Sequence, residues 1–157
     1  MKTKKTGTQF ETECMEMLKG MGFWVGRLNP SADGSQPADL IAVWANKDAY
    51  QTHVALIDCK LLSGSSRFPF SRVEENQRMA HEYFEKNVPL GDYFFMFGHE
   101  DRITLAGATE IFNWEKEGKK SIDVKELCPA ILLKEFYKDA DEKYTDGLIK
   151  HIAKELG

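Results

Sequence analysis

Apolar positions alternate between two periods along this chain. From Thr8 to Met21, Phe10, Cys14, Met17, Leu18 and Met21 share one helical face, and Gly22 follows as a stop. Phe23 to Leu28, Asp39 to Trp44 and His53 to Leu62 are short runs apolar on both sides, as expected of strands in a sheet covered on both faces. Asn29 to Ser35 is a loop by composition, Ala45 to Thr52 a polar connection, and Ser63 to Arg67 a further loop. Helical spacing returns from Ser71 to Lys86, where Ser71 and Glu74 have the form of a capping box. Asp92 to Gly98 and Arg102 to Leu105 read as strands joined by the turn His99-Glu100-Asp101. A short helix is predicted over Ala108 to Trp114 and an edge strand over Ala130 to Phe136. A last helix is predicted over Asp139 to Leu156, with Tyr144, Leu148, Ile149, Ile152 and Leu156 in phase. This order predicts an α/β fold, a central mixed β-sheet flanked by helices. The 157 residues suit one domain, residues 1–157.

Polar residues interrupt the pattern where a core would exclude them. Asp39 begins the run Asp39-Leu40-Ile41-Ala42-Val43, and Asp58 interrupts Val54-Ala55-Leu56-Ile57-Asp58-Cys59-Lys60. Strand periodicity puts Lys60 on the same face as Asp58. Two carboxylates on adjacent strands, helped by the backbone carbonyl of Cys59, suit a hard divalent cation, and a lysine beside them could orient a water or offset transition-state charge. The alternative is a buried Asp58–Lys60 ion pair and an aspartate that merely opens a strand. Glu11 borders the buried face of the first helix and could reach the same cation through a water; otherwise Thr8 and Glu11 form a capping box. Gln77 falls within the stripe Val73, Gln77, Ala80 and Phe84, so it is expected to face inward, towards the acidic cluster or a backbone partner.

Charge adds a reservation and a partial answer to it. The net charge of −4 argues against tight, unselective coating of nucleic acid. Residues 1–80, however, carry 10 Lys/Arg against 9 Asp/Glu, and residues 81–157 carry 11 against 16, so the first half is the more basic once a cation neutralises its site acids. Candidate DNA-binding residues are Lys4 and Lys5, with Lys2, in the N-terminal segment, and Arg27, Arg67 and Arg72; Arg67 and Arg72 flank Phe68-Pro69-Phe70 directly after the Asp58–Lys60 strand. Three widely spaced cysteines, without Cys-x-x-Cys, predict a reducing, cytoplasmic compartment and no disulfide framework. No apolar run is long enough to predict a membrane span or a secretory signal. The four histidines have no metal-site spacing, and no Gly-rich phosphate loop or Gly-x-Ser-x-Gly is present, which weakens nucleotide-hydrolase and serine-hydrolase readings.

Gly7-Thr8-Gln9-Phe10-Glu11, Pro37-Ala38-Asp39, Asp58-Cys59-Lys60 and Glu75-Asn76-Gln77, in this order and spacing, resemble the PD-(D/E)xK nuclease superfamily with its restriction-endonuclease-like fold. Gly91-Asp92-Tyr93-Phe94-Phe95-Met96-Phe97 and the segment from Ile111 to Ile122 extend the likeness to the RecU-type Holliday junction resolvases, over roughly residues 7–127. The resemblance implies Glu11, Asp39 and Asp58 as metal ligands, direct or through water. It also implies Lys60 as catalytic, Gln77 as a supporting site residue, Mg²⁺ or Mn²⁺ as cofactor, and a homodimer nicking a four-way DNA junction. Phe68, Phe70, Tyr93 and the aromatics near Trp114 are the expected interface material. Two departures stand out: the acid before x-Lys is Asp58 rather than the commoner Glu, and only the short Asn29–Gln36 loop occupies the place of that family's stalk. A related nuclease of flaps or duplex ends, or a non-catalytic DNA-binding module on the same fold, are the alternatives.

Overall fold

The computed structural model describes residues 5–29, 36–49 and 51–156. Helix α1 (Gly7–Gly20) leads into three antiparallel strands, β1 (Trp24–Arg27), β2 (Leu40–Asn46) and β3 (Gln51–Leu62). Strand β4 (Arg67–Pro69), a 3₁₀ turn and helix α2 (Glu75–Asn87) carry the chain over the sheet to β5 (Gly91–His99), which runs parallel to β3. Then come β6 (Arg102–Gly107), helix α3 (Ala108–Lys116), β7 (Ser121–Asp123), the two-residue β8 (Cys128–Pro129) and helix α4 (Leu133–Leu156). The main sheet has six strands in the order β1-β2-β3-β5-β6-β8, and β4 and β7 form a separate ribbon. The central strands read as near-continuous apolar runs because both faces are covered. One core, with Phe10, Cys14, Leu18, Ile57, Met96 and Tyr137, lies against α1 and α4. The other, with Leu56, Phe68, Phe70, Phe95, Phe97 and Ile111, lies against α2, α3 and the ribbon.

The start of α1 sets the height of Glu11. Thr6 is the N-cap: its hydroxyl accepts from Gln9 N–H (3.1 Å) and Gln9 Oε1 accepts from Thr6 N–H (2.8 Å). The expected Thr8–Glu11 box is therefore two residues out, and Glu11 is released from capping. Phe10 seats the helix on β5 at Gly98, where an added Cβ would meet the Phe10 ring at 2.5 Å. Only a glycine lets α1 approach this closely.

Several other expectations shift. Helix α2 begins at Glu75, and its capping box is Glu74 with Gln77 rather than Ser71 with Glu74, because Val73 stays extended to bury its side chain. The expected connection over 45–52 is shorter: β2 continues to Asn46 and β3 begins at Gln51, with a turn over 47–49. The expected loop at Arg67 is ribbon strand β4, paired to β7 through Phe68 and Ile122. No edge strand covers 130–136: the segment is a 3₁₀ turn running into α4, since Leu133 and Tyr137, four residues apart, drop into the same core at helical spacing. The stripe Tyr144, Leu148, Ile149, Ile152 and Leu156 is solvent-exposed. Phe68, Phe70 and Tyr93, expected at a subunit interface, are core residues instead.

Candidate active site

Four pieces of chain meet near the C-terminal end of β3. Asp39 stands just ahead of β2, where its N–H donates to Ile57 O (3.1 Å) and its C=O accepts from Leu28 N–H (2.9 Å), so both neighbouring strands hold its backbone. One step beyond the Leu40–Ile57 pair, it faces Asp58. Asp39 Oδ2 accepts from Cys59 N–H (2.7 Å) and Oδ1 from Gln36 Nε2 (2.6 Å). The segment before it is clamped from the other core: Asn76 of α2 donates to Gln36 O, and Tyr93 of β5 donates its hydroxyl to Pro37 O.

Asp58 and Lys60 share the face of β3 covered by α2, and both are buried. Lys60 Nζ lies 2.9 Å from Asp58 Oδ2, yet that oxygen has no well-directed hydrogen-bond donor. Gln77 is 4 % exposed. Its Oε1 accepts from Glu74 N–H (3.0 Å) and makes a long contact with Lys60 Nζ (3.5 Å), so the amide that caps α2 also faces the lysine. Glu11 reaches the group from α1, against Asp39.

The electrostatics show what this arrangement lacks. Burial pushes the Asp58 carboxyl up to about 7; the Lys60 ammonium pulls down, and the adjacent Asp39 carboxyl pushes further up. Burial and the hydrogen bond to Asp39 push Glu11 up to about 7, with Asp39 repulsion adding to the rise and Arg27 opposing it. Glu11, Asp39 and Asp58 thus touch in series, with the Lys60 ammonium beside Asp58 and the Arg27 guanidinium near Glu11 as the opposing charges. Among the described residues no three His, Cys, Asp or Glu side chains close round one point in metal-ligand fashion. The donor set is nevertheless that of a hard divalent cation: oxygens only, with Asp58 Oδ2 buried and short of a donor. The Cys59 thiol turns to the opposite face, where the Cys14 thiol and burial drive its ionisation far above the usual range. Only the backbone of Cys59 belongs to the site.

The basic candidates divide. Lys2 and Lys4 lie outside the described residues. Lys5 is paired with Glu13 (2.7 Å). Arg27 bonds Thr8 O and the Thr12 hydroxyl on α1, which leaves its charge near Glu11. Arg72 lies over the Phe68 ring, 5.6 Å from its centroid, and Arg67 is tied to Ser121 on the ribbon. Arg78 is taken up by Glu115 at 2.7 and 3.0 Å. Gln36, Asn76 and Tyr93 hold the Asp39 segment, a role the sequence did not show for any of them: Tyr93 was expected at an interface, and a polar loop residue and a helix-surface amide give no local signal. A cleft of about 590 Å³, lined by Phe84, Phe94, Leu105, Trp114 and Phe136 among others, contains none of the carboxylate cluster.

A helix, an antiparallel three-stranded turn-back and a helical crossover to a parallel strand make up a restriction-endonuclease-like fold, a mixed sheet flanked by helices. The chain is similar in structure to Hjc, a Holliday junction resolvase from Archaeoglobus fulgidus. That match has a TM-score of 0.54 and 13% sequence identity, and covers 78% of this chain and 94% of that one. It is also similar to a nuclease from a fusselovirus, with a TM-score of 0.50 and 19% identity, covering 90% of this chain and 99% of that one. No protein-family model and no curated protein matches the sequence.

Proposed function

We propose that this protein is a metal-dependent DNA endonuclease, resolvase-like, acting on branched DNA. The observation that carries the reading is the convergence of Glu11, Asp39, Asp58 and Lys60 on one sheet end, three acids in series with the buried Asp58 beside a single ammonium. Asp39 and Asp58, with the Cys59 carbonyl and with Glu11 through water, would hold Mg²⁺ or Mn²⁺. The bound cation supplies charge neutralisation at a phosphodiester and a lowered pKa for a water. Lys60 is placed to orient that water or to meet charge developing on the phosphate. Gln77 is the positioning residue: its amide holds the Lys60 ammonium on the site face while its other contact ties it to the start of α2. Gln36 and Asn76 keep the Asp39 carboxylate turned towards β3.

A homodimer with two equivalent sites suits symmetric nicking of a four-way junction. The test is cleavage of a labelled four-way junction, a flap and a linear duplex, each with Mg²⁺, with Mn²⁺ and with EDTA. Metal-dependent nicking of the junction in preference to the duplex is the expected result. Equal cutting of all three would move the reading to a general or end-directed nuclease. DNA binding without cleavage under any metal would leave a binding module on the same fold.

A further inference from the structure

Beyond the carboxylate cluster, the β4–β7 ribbon carries a second built feature. A cleft of about 440 Å³ is lined by Arg67, Trp114, Lys119, Lys120 and Ser121, with Asp123 and Glu126 on its wall. Each cation is anchored by its backbone or its partner. Arg67 donates from Nε to Ser121 Oγ (3.1 Å) and from Nη2 to Ser121 O (3.4 Å), which fixes its guanidinium and leaves Nη1 without a partner among the described residues. Helix α3 ends in the left-handed Gly118 (φ +98°), and Lys119 N–H then donates to Trp114 O (3.0 Å). This turn folds Lys119 back so that its Nζ stands over the indole, 5.6 Å from the ring centroid. Lys120 O accepts from Phe70 N–H (2.9 Å), which locks the segment to the chain entering α2. Neither lysine forms an ion pair among the described residues, while Asp123 is drawn to the Lys125 N–H and the Ser66 side chain.

The cleft lies on the same side of the sheet as Asp58 and Lys60, because the β4–β7 ribbon packs through Phe68 and Ile122 into the core on that face of β3. Arg72, on the chain that leads from the ribbon to α2, lies over the Phe68 ring. Arg67 and Lys120 stand in this cleft beside the Lys119–Trp114 pair. Cations for a phosphodiester beside an aromatic face for a base make the combination that holds single-stranded nucleic acid. The volume is within the range of small-ligand clefts. We propose that this cleft binds an unpaired nucleotide of the substrate strand, its phosphate on Arg67 and Lys120 and its base against Trp114. The inference rests on the nuclease reading for the identity of the polymer, but not on cleavage.

The test uses the full chain and two fluorescein-labelled duplexes, one blunt and one with an unpaired arm of roughly 10 nucleotides. Binding is read by anisotropy in EDTA, with cleavage in Mg²⁺ followed in parallel. The armed duplex should bind more tightly than the blunt one and quench tryptophan emission, and Trp114→Phe should remove most of the quenching. Lys119→Ala/Lys120→Ala, at exposed positions that should not disturb folding, should weaken binding of the armed duplex by about tenfold and reduce its salt slope by about 1. Blunt-duplex binding should change little. An armed duplex that binds equally well to wild type and to the double variant, without tryptophan quenching, would overturn the inference and leave the nuclease reading standing. Pocket-dependent binding with no cleavage under any metal would uphold the inference and overturn the nuclease reading.

Discussion

Two buried aspartates, Asp58 and Asp141, sit at opposite ends and on opposite faces of β3, and they are treated in opposite ways. Asp141, on α4, is fully provided for. Its Oδ1 lies 2.8 Å from His53 Nε2, and its Oδ2 accepts from Trp44 Nε1 (3.0 Å) and Asn46 Nδ2 (3.1 Å). Burial would raise its ionisation range, but the bonds from His53, Trp44 and Asn46 outweigh it and hold the carboxyl below the ordinary value. Beside it Tyr137 stacks near His53 and donates to Asp92 (2.9 Å), so the network pins the root of α4 to the sheet. Asp58 has one lysine, poorly directed, and a second acid against it, and its carboxyl is pushed up. A buried carboxylate with all its partners is a fastening. One that the fold leaves short of positive charge is what the proposed cation site requires.

Exchanging both aspartates for asparagine should separate these roles, and it carries the largest expected effect. Asp58→Asn should lower the cleavage rate by about 10³-fold or more while leaving thermal stability unchanged or raised, because it removes a ligand charge that the fold resists. Asp141→Asn should do the reverse, costing about 2–3 kcal/mol in urea unfolding while each folded molecule still cleaves. A destabilised Asp58→Asn or a stable but inactive Asp141→Asn would break the comparison.

Gln77→Leu sharpens it at the boundary between the two kinds of role, since Gln77 both caps α2 and faces Lys60. Cleavage should fall by about 10- to 100-fold with roughly 1 kcal/mol lost in stability, the latter from the lost capping bond. Normal turnover would make Gln77 a cap and nothing more. Gly98→Ala should act through distance alone. Lifting Phe10 off β5 should cost about 1–3 kcal/mol and slow cleavage by moving Glu11, whereas Ala at exposed Gly20 should do neither.

The smallest effect is a pH dependence of opposite sign at the two ends. For Asp58 and Glu11 the folded-state pKa is raised, so the folded protein binds protons that the unfolded chain releases. Their contribution to stability is full at or below pH about 4 and is lost as pH rises towards about 7. Asp141, held low, contributes above its unfolded value of 3.8 and loses its contribution as pH falls below it. Melting temperatures without metal should therefore decline from pH 5 to pH 7, and Asp58→Asn should flatten the decline. Mg²⁺ should reverse it above pH 7, with proton release seen by titration calorimetry in buffers of different ionisation enthalpy. A metal-free melting temperature that rises over this range would contradict the assignment.

The amino-acid sequence alone determined the covered strands and the first helices, and it marked Asp39, Asp58, Lys60 and Gln77 as candidates because each is a local break in a local period: an acid or an amide cannot sit in an apolar run without showing. Glu11 was legible only as an ambiguity, since a carboxylate three residues after Thr8 has the spacing of a capping box; the choice of Thr6 as the cap, made by the whole first turn, removed the capping alternative. What the tertiary structure decided has no local signature. The β4–β7 ribbon joins residues 54 positions apart through Arg67 and Ser121, and the α4 fastening joins His53 to Asp141 across 88 positions. Leu133 and Tyr137 read equally well as strand or helix until a core is present to receive them at one spacing. Periodicity records which face of an element is buried, but the partner across that face is chosen by packing and by the search of buried polar groups for one another.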